Sequence, residues 1–538
     1  MTNATITHSV PARMSEDCLY LNVFADSRCT TENPCPVLVI IHGGAYQGDS
    51  PAMFNETHLI NKYAADRLII VLPAMRLGIF GLVDLGNETK TEPYNIAVYD
   101  IIQGLEWVRD ELPALGGNTS LTTLFGYSSS AATLLTLLAS PAMPSNLFNQ
   151  VYISSGCPRL MPHFSETMSL SVLRYVGCNN TADLESQINC LRSKPATNLT
   201  DAMRATVNGQ WWQIGVQSDS HFYPAPNLPS LRQYWKPKPM MLMSGANELS
   251  ELEERPLEHI CMHYLYVFGY YEKATMEACV QRYATINETE SNFYYQDVKH
   301  TLARDIQHAS NVRIAAWNAQ EGQPTYSAII AQLGHSRHVS DLYYLIGFHY
   351  DSFNHTEFET NMETFLVNAF KRFLRGQAPL DDWKPSNVNG SSYYYLTFGK
   401  PEDPIHLNET DIVEPEFREN QVHNQEAVDF WLKSQQEVEL NASVKPQQKI
   451  NLIEKSLPVK SLKSLSILPS RRLHPLHNVF LVILAITSSV AAIILILMLI
   501  DTFRNGRLLR RYSERIEEVG EDTALLVERN SNGHYTDI

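Results

Sequence analysis

A short run in the first quarter of the chain presents a serine where it could act as a nucleophile. Gly126 to Ser130 (GYSSS) resembles the turn G-x-S-x-G, with Ser130 in place of the last glycine. The β-rich run Leu121 to Phe125 precedes this turn and the apolar series Ala131 to Leu138 follows it, so the sequence predicts a strand, a sharp turn and a helix. Serine-rich turns before helices are usually N-caps, so Ser128 needs further context.

A glycine-rich loop supplies that context. His42-Gly43-Gly44-Ala45 directly follows the apolar run Val37 to Ile41. The N–H groups of Gly43 and Gly44, with that of Ser129, can face the negative charge that develops on a carbonyl oxygen under attack. A serine and an oxyanion hole together predict acyl-group chemistry through a covalent intermediate. This chemistry requires no cofactor or metal, and the histidines show no metal-ligand spacing.

The sequence around these residues predicts alternating strands and helices. Three apolar runs predict strands at Leu19 to Phe24, Val37 to Ile41 and Leu68 to Leu72. The last two are too uniformly apolar to face water on one side, so we expect them at the centre of the sheet. A helical stretch runs from Asn95 to Arg109. The expected fold class is α/β, with a mostly parallel central sheet and helices on both faces.

Further motifs resemble the type B carboxylesterase and cholinesterase family. Glu16 to Val23 (EDCLYLNV) matches a signature of that family, and three other segments are similar to its motifs: Arg76 to Gly81, Leu105 to Gly117 and Cys190 to Pro195. The resemblance covers most of the chain from Glu16 to about Leu440. It implies an α/β-hydrolase fold and hydrolysis, or acyl transfer, of carboxylic esters.

The resemblance also implies a general base. In the family a histidine is followed by glycine, any residue, an acid and an apolar stretch that ends in glycine. His338 to Gly347 (HVSDLYYLIG) is similar in all but the first glycine. We therefore assign the base to His338 rather than to His335, which lies in the same predicted loop.

The third catalytic residue, an acid that orients the histidine, is open to three interpretations. The family pattern is an apolar strand followed by GxNKDEG or a close variant, and here Met240 to Met243 leads into Gly245 to Glu251 (GANELSE). An ungapped comparison puts Ser250 at the acid position, whereas a local shift makes Glu248 or Glu251 the acid. The candidate catalytic residues are thus Ser128, His338 and Glu248, with Glu251 as the alternative.

Cysteine positions give three candidate disulfides. The resemblance implies a small loop closed by Cys178 and Cys190, and Cys29 with Cys35 and Cys261 with Cys279 are further possible pairs. In relatives the cysteine that resembles Cys18 pairs with one upstream of it. Because the first residues also lack an apolar signal and the family's opening strands, we expect the native protein to carry an upstream segment.

The C-terminal part predicts a membrane anchor. Val479 to Ile500 is 22 residues long and carries no charge, enough helix to cross about 30 Å of hydrocarbon. Eleven N-x-[ST] sequons and all eight cysteines precede this run. We therefore expect a type I membrane protein whose hydrolase domain faces the cell exterior or the lumen of a secretory or endolysosomal compartment. The expected parts are residues 1–440 (hydrolase domain), 441–478 (stalk), 479–500 (transmembrane helix) and 501–538 (cytoplasmic tail).

The net charge of −16 argues against a nucleic-acid partner. Small-molecule esters and the membrane are the expected partners. The tail adds two weaker signals: Thr536 to Ile538 resembles a PDZ-domain ligand, and Glu521 with Leu525-Leu526 resembles an acidic dileucine sorting signal. The alternative function is a catalytically weak or inactive adhesion receptor like the neuroligins and gliotactin-like proteins. Ser128, His338 and the glycine loop favour the enzyme.

Overall fold

A computed structural model describes residues 15–85, 94–158, 168–179, 183–207, 214–219, 221–224, 227–248, 257–284, 298–347, 356–405 and 414–443. Its strands are β1 (Leu21–Phe24), β2 (Cys35–Ile41), β3 (Ile69–Pro73), β4 (Gly117–Tyr127), β5 (Gln150–Ser154), β6 (Met240–Gly245), β7 (Thr325–Ile330), β8 (Tyr393–Leu396) and β9 (Glu416–Arg418). These described strands form one nine-stranded sheet in the order β1-β3-β2-β4-β5-β6-β7-β8-β9. Only the two edge pairs, β1 with β3 and β8 with β9, are antiparallel.

The helices lie between successive strands of the sheet, except for the last two, which follow β9. They are α1 (Glu56–Lys62), α2 (Gly78–Gly81), α3 (Ile96–Glu111), α4 (Ser129–Leu138), α5 (Met168–Tyr175), α6 (Leu184–Arg192), α7 (Ala196–Val207), α8 (Leu228–Leu231), α9 (Leu257–Phe268), α10 (Lys273–Ala284), α11 (Val298–Gln320), α12 (Asp341–Leu345), α13 (Glu357–Leu374), α14 (Gln425–Asp429) and α15 (Gln435–Ser443). A π-helical turn, Phe430–Ser434, joins α14 to α15.

The core lies on both faces of the sheet, as alternation along β2 shows. Val37, Val39 and Ile41 pack into one buried cluster with residues of α3 and α4. Leu38 and Ile40 face the opposite way and pack with residues of α13. Because side chains alternate along a strand, a strand that is apolar at every position must be covered twice. The prediction of a mostly parallel sheet with helices on both faces is confirmed.

The three candidate disulfides are present. They join Cys29 to Cys35, Cys178 to Cys190 and Cys261 to Cys279, and the last of these links α9 to α10. Cys18 and Cys157 take part in no disulfide.

Element boundaries differ from the sequence prediction in places. The first strand begins at Leu21 rather than Leu19, because Leu19 and Tyr20 lie 51% and 63% exposed beyond its pairing with β3. The strand before the GYSSS turn begins at Gly117 instead of Leu121, since Cys35 and Pro36 pair with Gly117 and Asn118 before a register shift.

The predicted stalk, transmembrane segment and tail lie outside the described residues. Among the helices that the structure describes, none combines the length and the apolar composition that a membrane crossing requires.

Candidate active site

Ser128 lies at a strained turn between β4 and α4. Its backbone has φ 55° and ψ −124°, a positive-φ conformation that non-glycine residues rarely adopt. Such a turn lifts the side chain above the carboxyl ends of the parallel strands. The backbone is held there because the Ser128 N–H donates to the Ser154 carbonyl at 2.9 Å.

The two ends of the motif explain how the turn is packed. A Cβ on Gly126 would lie 2.6 Å from Leu134 Cδ1 and 3.1 Å from the backbone nitrogen of Ala131, so a side chain at this position would crowd α4. Ser130, which replaces the motif's last glycine, is fully buried. Its hydroxyl donates to the Ile41 carbonyl at 2.7 Å and accepts the Tyr127 N–H at 2.9 Å. The substitution therefore ties the turn to the end of β2.

The glycine loop lies beside this turn. Ile41 pairs with Gly126, so residues 42–45 emerge next to Ser128. Gly44 has φ 87°, and the Tyr46 N–H donates to Ser129 Oγ at 3.3 Å. Ser129 is the first residue of α4, so its N–H has no partner within the helix. The structure thus brings Gly43, Gly44 and Ser129 to the same edge of the sheet as Ser128.

His338 contacts Ser128 and Glu248 through its two ring nitrogens. Ser128 Oγ lies 2.9 Å from Nε2, and Glu248 Oε2 lies 2.7 Å from Nδ1. With the proton on Nδ1, that nitrogen donates to Glu248 and Nε2 accepts from Ser128. His335 lies elsewhere, with its ring 5.1 Å from that of Tyr343.

Of the alternatives for the acid, Glu248 is the residue that meets the histidine. Ser250 and Glu251 lie outside the described residues. Glu248 Oε1 accepts the Gly245 N–H at 3.1 Å and the Ser155 hydroxyl. Glu248 lies three residues after Gly245, the last residue of β6, so the Gly245 N–H can donate to its carboxylate.

The surroundings of Glu248 favour its charged form. Burial raises the pKa of this carboxyl, but the charge and hydrogen bond of His338 and the donors on Ser155 and Gly245 outweigh burial, so the pKa lies below its usual value. The buried carboxylate is therefore ionised at neutral pH and can orient the imidazole.

Ser155 is a site residue that sequence reasoning missed. It follows β5, adopts φ 50°, and its Oγ accepts the Val339 N–H at 3.0 Å while donating to Glu248. One hydroxyl thereby connects the acid to the loop that carries His338. A serine directly after an apolar strand was the only local signal, and such serines are common.

A metal site is not formed by the part of the chain that the structure describes: no three His, Cys, Asp or Glu side chains there are grouped to hold an ion.

Comparison with known proteins agrees with this architecture. The profile of the Carboxylesterase family matches residues 1–431. Carboxylesterase 5A of Homo sapiens is 34% identical over 197 residues, which are 36% of this chain and 33% of that protein. Acylcarnitine hydrolase of Rattus norvegicus is 29% identical over 269 residues, 47% of this chain and 46% of that protein. Pyrethroid hydrolase Ces2a of Mus musculus is 31% identical over 217 residues, 40% of this chain and 37% of that protein.

The matched segments span less than half the length of these three relatives. All three are named as esterases or hydrolases, so the adhesion-receptor alternative is not supported. The family profile, in contrast, covers the whole described sheet and every residue of the Ser128 site. This chain belongs to the carboxylesterase family.

Proposed function

We propose that the chain hydrolyses carboxylic esters, with Ser128 as nucleophile, His338 as general base and Glu248 as the acid that orients the base. The observation that carries the proposal is the unbroken hydrogen-bond path from Ser128 Oγ through both nitrogens of His338 to Glu248. Serine hydroxyls are weak nucleophiles, and a path of this kind removes the proton as the oxygen attacks.

The reaction has two halves. Ser128 Oγ attacks the ester carbonyl while its proton moves to His338 Nε2, and the imidazolium is stabilised by the buried Glu248 carboxylate. The amides of Gly43, Gly44 and Ser129 bind the oxyanion. His338 then protonates the departing alcohol. Water attacks the acyl-enzyme with His338 again as base, the bond between Ser128 Oγ and the acyl group breaks, and His338 returns the proton to Oγ as the carboxylic acid leaves.

The substrate class rests on the ester chemistry of the site. Two relatives carry the printed names acylcarnitine hydrolase and pyrethroid hydrolase. We propose a small-molecule carboxylic ester for this chain. An alcohol acceptor in place of water would make the same acyl-enzyme a transferase.

The direct test is Ser128→Ala in a fluorophosphonate labelling assay, with hydrolysis of a short aryl ester measured in parallel. We expect the variant to lose both labelling and hydrolysis. Ser145→Ala, which changes an exposed serine outside the site, is the control and should behave as the wild type. Undiminished labelling of Ser128→Ala, or no labelling of the wild type, would contradict the proposal.

We also propose that the chain is a type I membrane glycoprotein anchored by residues 479–500. The support is the uncharged run itself and the sequons that precede it. Of the sequon asparagines that the structure describes, none is buried: Asn55, Asn118, Asn179, Asn198, Asn389 and Asn441. Detergent phase partition and a glycosidase mobility shift test the two parts separately. Recovery in the aqueous phase would refute the anchor, and an unchanged mobility would refute glycosylation.

A further inference from the structure

A second carboxylate is buried beside the site and has no role in the mechanism above. Asp341 lies three residues after His338 and is the first residue of α12. It is 1% exposed. An isolated carboxylate is strongly unfavourable in such a place, so the contacts it makes are informative.

Both oxygens of Asp341 accept a hydroxyl from β5. The Tyr152 hydroxyl donates to Oδ2 at 2.7 Å, and Ser154 Oγ donates to Oδ1 at 2.6 Å. Alternate residues of a strand project from the same face, so the two hydroxyls form a pair that matches the two oxygens. Asp341 thereby fastens the start of α12, and the loop before it, to β5.

The same end of β5 supports the three proposed catalytic residues. The Ser154 carbonyl accepts the Ser128 N–H at 2.9 Å. The next residue, Ser155, donates to Glu248 and accepts the N–H of Val339 beside His338. Movement of the His338 loop relative to this strand end would therefore change the distances to the nucleophile and to the acid together.

We propose that Asp341 is a positioning residue for ester hydrolysis, which holds the His338 loop on β5 through the hydroxyls of Tyr152 and Ser154. It acts through His338 and touches no reacting atom. The proposal rests on the proposed function of the Ser128 site.

The test compares Asp341→Ala with Asp341→Asn in the full chain, with a short aryl ester as substrate. Asp341→Ala removes both hydrogen bonds, and we expect kcat to fall about 10- to 100-fold with little change in KM, because misplacement of a catalytic group slows the chemical step. Asp341→Asn keeps an acceptor for Ser154 and offers a donor to the Tyr152 oxygen. It should restore most of kcat, which a loss of packing alone would not predict.

Asp403→Asn is the matched control. Asp403 is also buried and accepts the hydroxyl of Tyr395 on β8 at 3.0 Å, and two strands of the sheet separate β8 from β5. It should retain the kcat of the wild type. If Asp341→Ala does not fold, Ser154→Ala and Tyr152→Phe can be tested in its place, since each removes one of the two hydroxyl donors. Each should lower kcat and leave KM little changed.

Two results would overturn the inference: a kcat of Asp341→Ala equal to that of the wild type, whatever its melting temperature, or a kcat of Asp341→Asn as low as that of Asp341→Ala. Either result counts against the inference only if the wild-type protein is labelled by fluorophosphonate, which shows that the Ser128 site is active. A wild type that fails to label refutes the proposed function itself, so the two failures are distinguishable.

Discussion

At the scale of single residues, the candidate site contains two hydroxyl groups that the proposed reaction does not use. Ser155 donates to Glu248, and Ser154, its neighbour in the chain, donates to Asp341. Buried carboxylates are stable only when hydrogen-bonded or paired, so adjacent serines at the end of β5 allow two acids to lie close together. The acids nevertheless differ, because Glu248 accepts a hydrogen bond from the ring of His338, whereas Asp341 accepts from the hydroxyls of Tyr152 and Ser154.

Replacing the acid should disable the base. In Glu248→Gln the side-chain amide can present its N–H to His338 Nδ1 and favour the wrong tautomer, so we expect kcat to fall about 10⁴-fold with a small change in KM. Steady-state kinetics with an aryl ester measure this. Glu359→Gln is the control, since the buried Glu359 accepts from Tyr344 and not from His338. A normal kcat in Glu248→Gln would leave Glu251 as the remaining sequence candidate.

Asp341 should make the free energy of unfolding depend on pH. Burial, together with the nearby Glu248, raises the pKa of Asp341 to about 6 against an ordinary value of 3.8, although Ser154 and Tyr152 act to lower it. Between these values the native state binds more protons than the unfolded state, so this group's stabilising contribution is full below about pH 4 and is lost as pH rises through about 6. The loss is about 3 kcal/mol.

Asp341→Asn removes this dependence. Its free energy of unfolding relative to that of the wild type should therefore increase by up to about 3 kcal/mol from about pH 4 to about pH 7. Urea unfolding at several pH values measures the difference. A difference that is constant with pH would show that Asp341 does not titrate in this range.

At the scale of elements, the end of β6 and the loop after β7 are in close backbone contact. A Cβ on Gly245 would lie 2.1 Å from the Ser336 carbonyl oxygen and 2.7 Å from that of Arg337. The same glycine donates to Glu248. Only a residue without a side chain lets the acid's strand and the histidine's loop approach this closely.

Gly245→Ala should separate the two elements. The methyl group meets backbone atoms that cannot rotate away, so the loop must shift and carry His338 with it. We expect about 100-fold lower kcat, measured on the folded variant, because small displacements of catalytic groups are costly. Gly104→Ala on α3 is the control, since its Cβ would meet only the Pro73 side chain at 3.2 Å. An unchanged kcat in Gly245→Ala would show that the loop adjusts without moving His338.

At the scale of the whole molecule, α15 is the last helix among the residues that the structure describes. The Glu439 carboxylate on α15 accepts the N–H groups of Tyr271 and Glu272, at 2.9 Å each, just before α10 begins. Amides at a helix N-terminus need acceptors and favour a negative charge. The helix therefore caps α10 from a distance of more than 150 residues along the chain.

Two shortened forms of the protein test whether α15 stabilises the domain. A protein that ends at Ser443 keeps α15 and should retain the kcat of the wild type, whereas one that ends at Ser434 lacks it. We expect the shorter form to lose about 1–2 kcal/mol from the missing cap, in addition to buried contacts. Melting temperature and the rate of aryl ester hydrolysis are the measurements. Equal stability of the two forms would mean that α15 is dispensable.

The sequence by itself determined the features that depend on neighbours in the chain. Apolar runs indicated central strands because a doubly covered strand has no polar face, and the GYSSS turn and the glycine loop each lie directly after such a run. Their proximity followed from parallel pairing, since the carboxyl ends of parallel strands share one edge of the sheet. The resemblance added His338 and the disulfide between Cys178 and Cys190.

Only the tertiary structure distinguished Glu248 from Ser250 as the partner of His338. Glu248 and His338 are 90 residues apart, and their contact depends on how far the chain turns after β6 and on the loop that packs against Gly245. Ser155 was missed because a serine after a strand is locally ordinary. Asp341 lies at the acid position of the motif that contains His338, but the motif does not show which hydroxyl groups it meets. Their roles arise from one strand end that meets three segments distant in sequence, and no local pattern encodes that meeting.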